Sequence, residues 1–541
     1  MINKKKIVVL GGGIGSLSSI FAITSMPDWQ QKYDITLYQL GWRLGGKGAS
    51  GRNAELGQRI EEHGLHVWFG FYDNAFRTIQ QCYAELDRPK DAPLATWDQA
   101  FKPHDYTAIQ EYHHETWKTW SMIFLPRSGT PGIGGREYTP IRYVQDILYW
   151  LWKYLLPHLK LRDCAAFLAI IPHAIQTLSS KSITQLSASE QSSPLIALKS
   201  ALDELYKVVL DMFERTSDNN DVLRRTYIIS ILWLTAVRGI ISDGIIFNGF
   251  DVIDDLEFRE WLKKHGAPDS VAYSAPIQSF YDLALAYEQG ITEGNPSREG
   301  NIAAGTALHS FLLVLFAYKG SLMWKMQASM GDVVFTPLYE VLKARGVKFE
   351  FFHKVTDLIP NEQGTAIQQI IINKQVSLKN PDQEYQPLVD VKGLPCWPSE
   401  PLYEQLVEGE QVQAGQHNLE SHWTAWQDAE PNISLNQGVD FDLVICGIPI
   451  AALKLISEQL ATKSQSWQNM VDNVKTVRSL AMQTWLTKDL KQLGWQHPSV
   501  VLDAYIQPFN TWADMGQTIS YEAWSASLEP SDIAYFCGTM P

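Results

Sequence analysis

Cysteine is scarce in this chain of 541 residues: Cys82, Cys164, Cys396, Cys446 and Cys537 are odd in number, widely scattered, and form no Cys-x-x-Cys pair. That spacing supports neither a disulfide framework nor a zinc site, and it points to a reducing compartment, so a cytoplasmic location is expected. Positive charge is also in short supply. Against 59 Asp and Glu stand 45 Lys and Arg, a formal net charge of −14, and no nucleic-acid partner is expected, because neutralising phosphates needs clustered cations. Long apolar runs are missing too. Those at 227–237 and 310–318 stop at Arg238 and Lys319, too short to span a bilayer. The start MINKKKIVVLGGG turns to glycine before the apolar core of a signal peptide could form. There is no His-Glu-x-x-His, no Gly-x-Ser-x-Gly, no P-loop and no metal-ligand spacing, so the sequence marks no catalytic residue and no metal site. Internal repeats and low-complexity tracts are absent as well.

What is present is apolar substance and glycine. The chain is 45% hydrophobic and 11% aromatic and carries 36 glycines, enough for a large core divided into at least two domains. Four apolar residues, Ile7 to Leu10, suit a parallel strand buried on both faces. Gly11, Gly12, Gly13 and Gly15 follow, then a helical pattern from Leu17 and a second strand, YDITLYQ. The order strand, glycine turn, helix, strand is that of a dinucleotide fingerprint. Gly11 would make the sharp turn, Gly13 would let backbone approach a pyrophosphate, and Ser16, beside Gly15, would take the third, small position. An ordinary glycine turn of an α/β protein is the alternative. The acidic residue that would hold a ribose at the end of the second strand is replaced by Gln39, whose amide can still donate and accept; a plain polar strand end is the other reading.

Directly after Gln39 comes GWRLGGKGAS, where Gly45 and Gly46 with Arg43 and Lys47 would bring backbone and charge to one anion; Arg52 follows a few residues on. Here the sequence resembles the two-dinucleotide-binding-domain flavoproteins, the superfamily of amine oxidases and phytoene desaturases, whose motif runs R-x-G-G after the second strand. IEEHGLHVWFGFYDNAFR extends the likeness to the ζ-carotene desaturase and phytoene desaturase group. The resemblance implies FAD as cofactor, with Gly11, Gly12, Gly13, Arg43, Gly46 and Lys47 on the diphosphate side and Gly64, Leu65 and His66 near the flavin ring. His66 and Trp68 read equally well as core residues. Val355, at the end of a strand in VKFEFFHKV, would meet the adenine through backbone groups, and Gly447 to Pro449 in FDLVICGIPIAALKLI would pass close to the flavin. Both segments also suit ordinary αβ scaffolding.

The fold class so implied is α/β: a Rossmann-like βαβ FAD domain, built from 1–90, 321–375 and 439–460, with a mostly helical substrate domain inserted over 91–320. A polar insertion fills 376–438, and 461–541 returns to the substrate domain. The function implied is hydride transfer from an apolar or amphipathic small molecule to FAD, as in a desaturase. An amine or amino-acid oxidase and a flavin-poor scaffold subunit are the alternatives. Trp150, Trp152, Trp233, Trp261 and Trp324 suggest a deep apolar pocket or simply a large core. Residues 148–162, LYWLWKYLLPHLKLR, have the composition of a helix lying in a membrane interface or of a buried amphipathic helix, with Pro157 breaking it. Members of the superfamily carry a flavin-contacting Gly-Asp turn near their C-terminus; none is legible after residue 500, where ADMGQT at 513–518 lacks a preceding apolar strand. The expectation is that a partner chain supplies that segment.

Overall fold

The computed structural model describes residues 4–134, 139–159, 165, 168–169, 188–215, 220–287 and 300–540. The run of apolar residues at the N-terminus forms the strand Lys5–Leu10 at the centre of a parallel sheet of four, in the order Lys348–Glu350, Tyr33–Tyr38, Lys5–Leu10, Leu443–Cys446. Side chains alternate across a strand, and here both faces are covered. Ile7 and Val9 join one core with Ile35, Leu37 and Phe349, while Val8 and Leu10 join another with Val355, Ile370 and Ile372. The helix Ile14–Thr24 connects the first two strands, buries Leu17, Ile20 and Phe21 against the first core, and starts from Gly13 with no side-chain cap.

The stretch VKFEFFHKV is two strands where one ending near Val355 was expected. The parallel strand stops at Glu350, and His353–Pro360 opens an antiparallel sheet with Ile367–Lys374 and Glu430–Asn436. Between them Phe352 takes φ = +60°. Backbone bonds from Phe352 to the Gly41 carbonyl and from His353 to the Gln39 carbonyl, both 2.8 Å, hold the chain across the end of the second strand. Val355 therefore lies inside a strand, paired with Ile372.

A third sheet, of six strands, runs Ser479–Leu486, Asp532–Thr539, Thr511–Asp514, Val501–Asp503, Tyr106–His113, Thr116–Ile123. Helices that include Pro140–Trp150, Asp221–Ser242, Ala275–Leu283 and Ala304–Leu312 share a core rich in Leu, Ile and Trp. The span 91–320 is thus helical only after its first strands, which the helical patterning of the region concealed. Residues 376–438 also differ from a polar insertion: Val376, Tyr385, Leu394, Cys396, Trp397 and Leu419 are buried in the core beneath the parallel sheet. The strand Thr511–Asp514 runs into the first two residues of ADMGQT, and a 3-10 turn begins at Gly516, but this strand belongs to the six-stranded sheet.

The segment 148–162 is described to residue 159. Its helix loosens into a wide turn, Leu151–Leu155, and ends in a 3-10 turn holding Pro157. Ile147, Leu148, Leu151 and Leu155 are buried, while Tyr149, Trp152 and Tyr154 are exposed; Lys160 and Arg162 lie outside the described residues. Among the described residues no helix is long and apolar enough to cross a membrane.

One ion pair ties distant segments together. Arg52 donates from Nη2 to Asp332 Oδ2 at 2.7 Å, and from Nη1 to the carbonyls of Gln58 at 3.1 Å and Tyr521 at 2.7 Å. Both side chains are almost fully buried, at 0% and 2% exposure. Replacing one partner strands the other charge in the core. Arg52→Met is expected to cost about 3–5 kcal/mol, read as a fall in the urea midpoint; a loss below about 1 kcal/mol would mean that Asp332 finds another partner at little cost.

Candidate dinucleotide site and adjoining cavities

The site grows from two glycine turns at the carboxyl ends of the parallel strands, where open α/β sheets bind ligands. Gly11, at φ = +84°, reverses the chain as its N–H donates to the Tyr38 carbonyl at 2.9 Å. The second turn docks on the first. Gly45 donates its N–H to the Gly12 carbonyl at 2.9 Å, and Gly13 and Gly45 pair as an isolated parallel bridge. Gly45 has φ = +125°, and a Cβ there would lie 2.7 Å from the Ala49 Cα, so no side chain fits.

Outward, the same turns are bare. A Cβ on Gly13 or Gly15 would meet nothing within 4 Å, and the uncapped start of the helix faces the same side. Those residues present bare backbone at a helix N-terminus, the arrangement that suits a phosphate. The third fingerprint position behaves as its small size demands. Ser16 is buried, its hydroxyl has no hydrogen-bond partner, and a Cβ on Gly447 would approach its Oγ to 1.9 Å. Gly447 itself donates to the Leu10 carbonyl at 2.9 Å, and Pro449 precedes the short helix Ile450–Ile456. The turns therefore bring Gly11, Gly12, Gly13, Gly15, Ser16, Gly45, Gly46 and Gly447 together, with Val355 packed beside Leu10 one layer below.

Three polar residues have tasks that sequence alone did not reveal. Gln39 is 9% exposed; its Oε1 accepts from the Gly12 N–H and its Nε2 donates to the Leu40 carbonyl, both at 2.6 Å. It braces the glycine turn where a ribose contact was expected. Arg43 is bidentate to Glu420, at 2.8 and 2.7 Å, and lies 3.4 Å from His63 Nε2. Arg52 is spent on Asp332. Of the three cations in this loop region, Lys47 is the one that is exposed, and it lines a cavity.

That cavity, about 510 Å³, is bounded by Lys47, His63 to His66, Lys475 and Cys537 among others. Among the described residues its charged lining is all basic. His66 Nδ1 lies 3.1 Å from Glu62 Oε2. Burial pulls the His66 pKa down, but the bond and charge of Glu62, with the Lys47 carbonyl, outweigh it and hold the imidazole above its ordinary value. His63 moves the opposite way, lowered by burial and by the Arg43 charge. A second cavity, about 650 Å³, lies on the helical side of the six-stranded sheet. Trp120, Trp150, Trp233, Phe280 and Phe311 line it, and Asp503 is its buried acid. The chain passes from the apolar cavity to the basic one between Leu283 and Ala284. Trp261 and Trp324 are core residues and Trp152 is exposed, so the expected aromatic pocket draws on Trp150 and Trp233 of the five. Glu62, Glu420 and Asp503 carry no motif that would have singled them out. Among the described residues no group of His, Cys, Asp and Glu could hold a metal.

Two outcomes separate the inner and outer sides of the turns. Gly45→Ala is expected to destabilise the fold by about 1–3 kcal/mol through its backbone strain, whereas Gly13→Ala should leave the melting temperature unchanged; equal losses would contradict the geometry. The raised His66 pKa gives a pH effect of definite sign. Its stabilisation is complete below the unfolded value of about 6.5 and is lost as pH rises through the higher folded value. His66→Gln should therefore flatten part of the decline in melting temperature above neutrality, and an unchanged profile would refute the assignment.

Comparison with known proteins bears on the first part of the site. Residues 9–82 match the NAD(P)-binding Rossmann-like domain family. No curated protein matches the chain. Among solved structures, an oxidoreductase from Methanosarcina mazei aligns at 11% identity and a TM-score of 0.43, over 99% of this chain and 79% of its own. A protein from an Exiguobacterium species, assigned as a protoporphyrinogen oxidase, aligns at 12% identity and a TM-score of 0.40, over 100% and 78%. The N-terminal strand, its glycine turn and the helices that follow belong to a Rossmann-like dinucleotide-binding domain, set in a mixed α/β chain.

Proposed function

We propose that this protein is an FAD-dependent oxidoreductase acting on an apolar or amphipathic organic molecule. The observation that carries the reading is the docking of two glycine turns, which leaves bare backbone and Lys47 beside a basic cavity that abuts an apolar one. The amides of Gly13 to Gly15 and the helix that follows would hold the diphosphate, Gly45 to Lys47 would close over it, and Gly64 to His66 would line the ring. When bound, a flavin supplies the hydride acceptor. The chain's own residues bind and orient. Backbone donors and Lys47 offer charge-assisted contacts to the anion. The Glu62 carboxylate holds the His66 ring in place at the cavity wall. The Trp- and Phe-lined cavity keeps water from an apolar substrate, which desaturation chemistry needs more than it needs an acid–base pair.

Titration with FAD, followed by the visible absorbance of bound flavin, tests this. Wild type should bind; Gly13→Val, whose side chain would fill the cradle, should lose binding while keeping its melting temperature. Lys47→Ala should weaken binding by about 1–3 kcal/mol. Binding that survives Gly13→Val unaltered would reduce the turn to scaffolding. Release of hydrogen peroxide with amines would favour an amine oxidase, and absence of flavin binding a scaffold subunit.

A further inference from the structure

Asp503 ends the strand Val501–Asp503 and is 7% exposed, yet it lines the apolar cavity of about 650 Å³. Its Oδ1 accepts from Thr511 Oγ1 at 2.7 Å, and the Ser279 hydroxyl is a second donor. The charge that acts on it most directly is another carboxyl. Asp282, fully buried on the helix Ala275–Leu283, accepts from Gln278 Nε2 at 2.8 Å and from the Tyr287 hydroxyl at 2.7 Å. Arg225 also lines the cavity, but its guanidinium donates to the Thr119 carbonyl at 3.0 Å and lies over the Trp120 ring at 4.8 Å. Among the described residues Asp503 makes no salt bridge.

An ionised carboxyl is costly in such surroundings unless a cation joins it. Aliphatic and aromatic side chains make up most of the rest of the wall, Trp120, Trp150 and Trp233 among them, and aromatic faces also attract a cation. Resting on the reading of this cavity as the substrate site, we propose that it binds an apolar molecule carrying a protonated amine, with the Asp503 carboxylate as counter-ion. The amine is the anchor of the ligand and need not be the group that reacts. A neutral hydroxyl would gain one hydrogen bond there, and a carboxylate would be repelled by Asp503 and Asp282 together.

Burial raises the Asp503 pKa to about 7, with the Asp282 charge adding to it. The other titratable groups at or near the site are Cys537, raised to about 11 by burial and by Asp503, and Tyr154, His158 and Arg225 in the lining. Between pH 6 and 8, Asp503 gains its charge while an alkylammonium, with a pKa of about 10 like that of lysine, keeps its own. Amine affinity should therefore rise across that range.

The test is quenching of intrinsic tryptophan fluorescence, since Trp120, Trp150 and Trp233 line the cavity. Dodecylamine, dodecanol and dodecanoate serve as probes at pH 6, 7 and 8. At pH 8 dodecylamine should bind roughly tenfold or more tightly than dodecanol, and dodecanoate weakest of the three, as the desolvated pairing demands. Its affinity should climb several-fold from pH 6 to 8, with dodecanol unchanged. Asp503→Asn should erase both the preference and the pH dependence, while His158→Gln keeps them. Equal affinities for amine and alcohol, tightest binding of dodecanoate, or a preference that survives Asp503→Asn would each overturn the proposal. Should Asp503→Asn fail to fold, the wild-type ranking and pH trend decide alone. FAD titration of the same preparations separates the two readings: loss of flavin binding refutes the oxidoreductase, and loss of amine preference refutes the anchor.

Discussion

The hydrogen bond from the Gly45 N–H to the Gly12 carbonyl is the constraint on which the site depends. It forces two turns, more than thirty residues apart in sequence, to meet at the ends of adjacent parallel strands. Only glycine tolerates the backbone that this requires: Gly11 and Gly45 both have positive φ, and Gly45 has Ala49 where a Cβ would go. Gln39 strengthens the joint from within, because its amide occupies the Gly12 N–H. The outward edge of the joint is left free of side chains, and a ligand can lie against peptide groups. The bareness of Gly13 and the crowding of Gly45 are two sides of one packing solution.

Charge is apportioned on the same principle. A loop with Arg43, Lys47 and Arg52 reads as a cluster of ligand-binding cations, yet two of the three guanidinium or ammonium groups are buried against carboxylates from remote parts of the chain. Arginine suits that use, since its planar fork matches a carboxylate bidentately and satisfies further carbonyls. Arg43 with Glu420 closes the region 376–438 over the turn, and Arg52 with Asp332 and Tyr521 draws in two more segments. Lys47, flexible and exposed, is left to face the cavity.

The two cavities differ in kind, and the difference follows from the layers around them. The basic one lies beside the glycine turns, where loops and exposed polar residues bring Lys47, His63, His66 and Lys475. The apolar one lies between the six-stranded sheet and the helices, where side chains that built the helical core also line the empty space. Among the described residues only Asp503 interrupts that lining with a buried acid. A carboxyl retained in such a place is anomalous for a packing core and natural for a binding site.

By itself the sequence determined the first βαβ unit: four apolar residues, a run of glycines and a helical period are local signals, and the strand Lys5–Leu10 and helix Ile14–Thr24 follow them closely. The placing of Gly11, Gly13 and the small Ser16 in the turn was likewise legible, whereas the close approach of Gly447 to Ser16 comes from a strand more than four hundred residues away. What tertiary structure decided was partnership. Whether Arg43 meets a ligand or Glu420, whether Gln39 faces a ribose or Gly12, and whether 376–438 is a surface insertion or part of the core all depend on residues tens to hundreds of positions away. The break at Phe352 is of this kind too, since its bonds go to Gly41 and the strand that follows joins a different sheet. Asp503 is the extreme case. At the end of an apolar strand it looks like any polar terminus, and only the packing of a helix and a second strand around it makes it a buried acid in a cavity. Local periodicity and turn chemistry are written in neighbouring residues, whereas burial and ion pairing are properties of contacts that exist only once the chain has closed on itself.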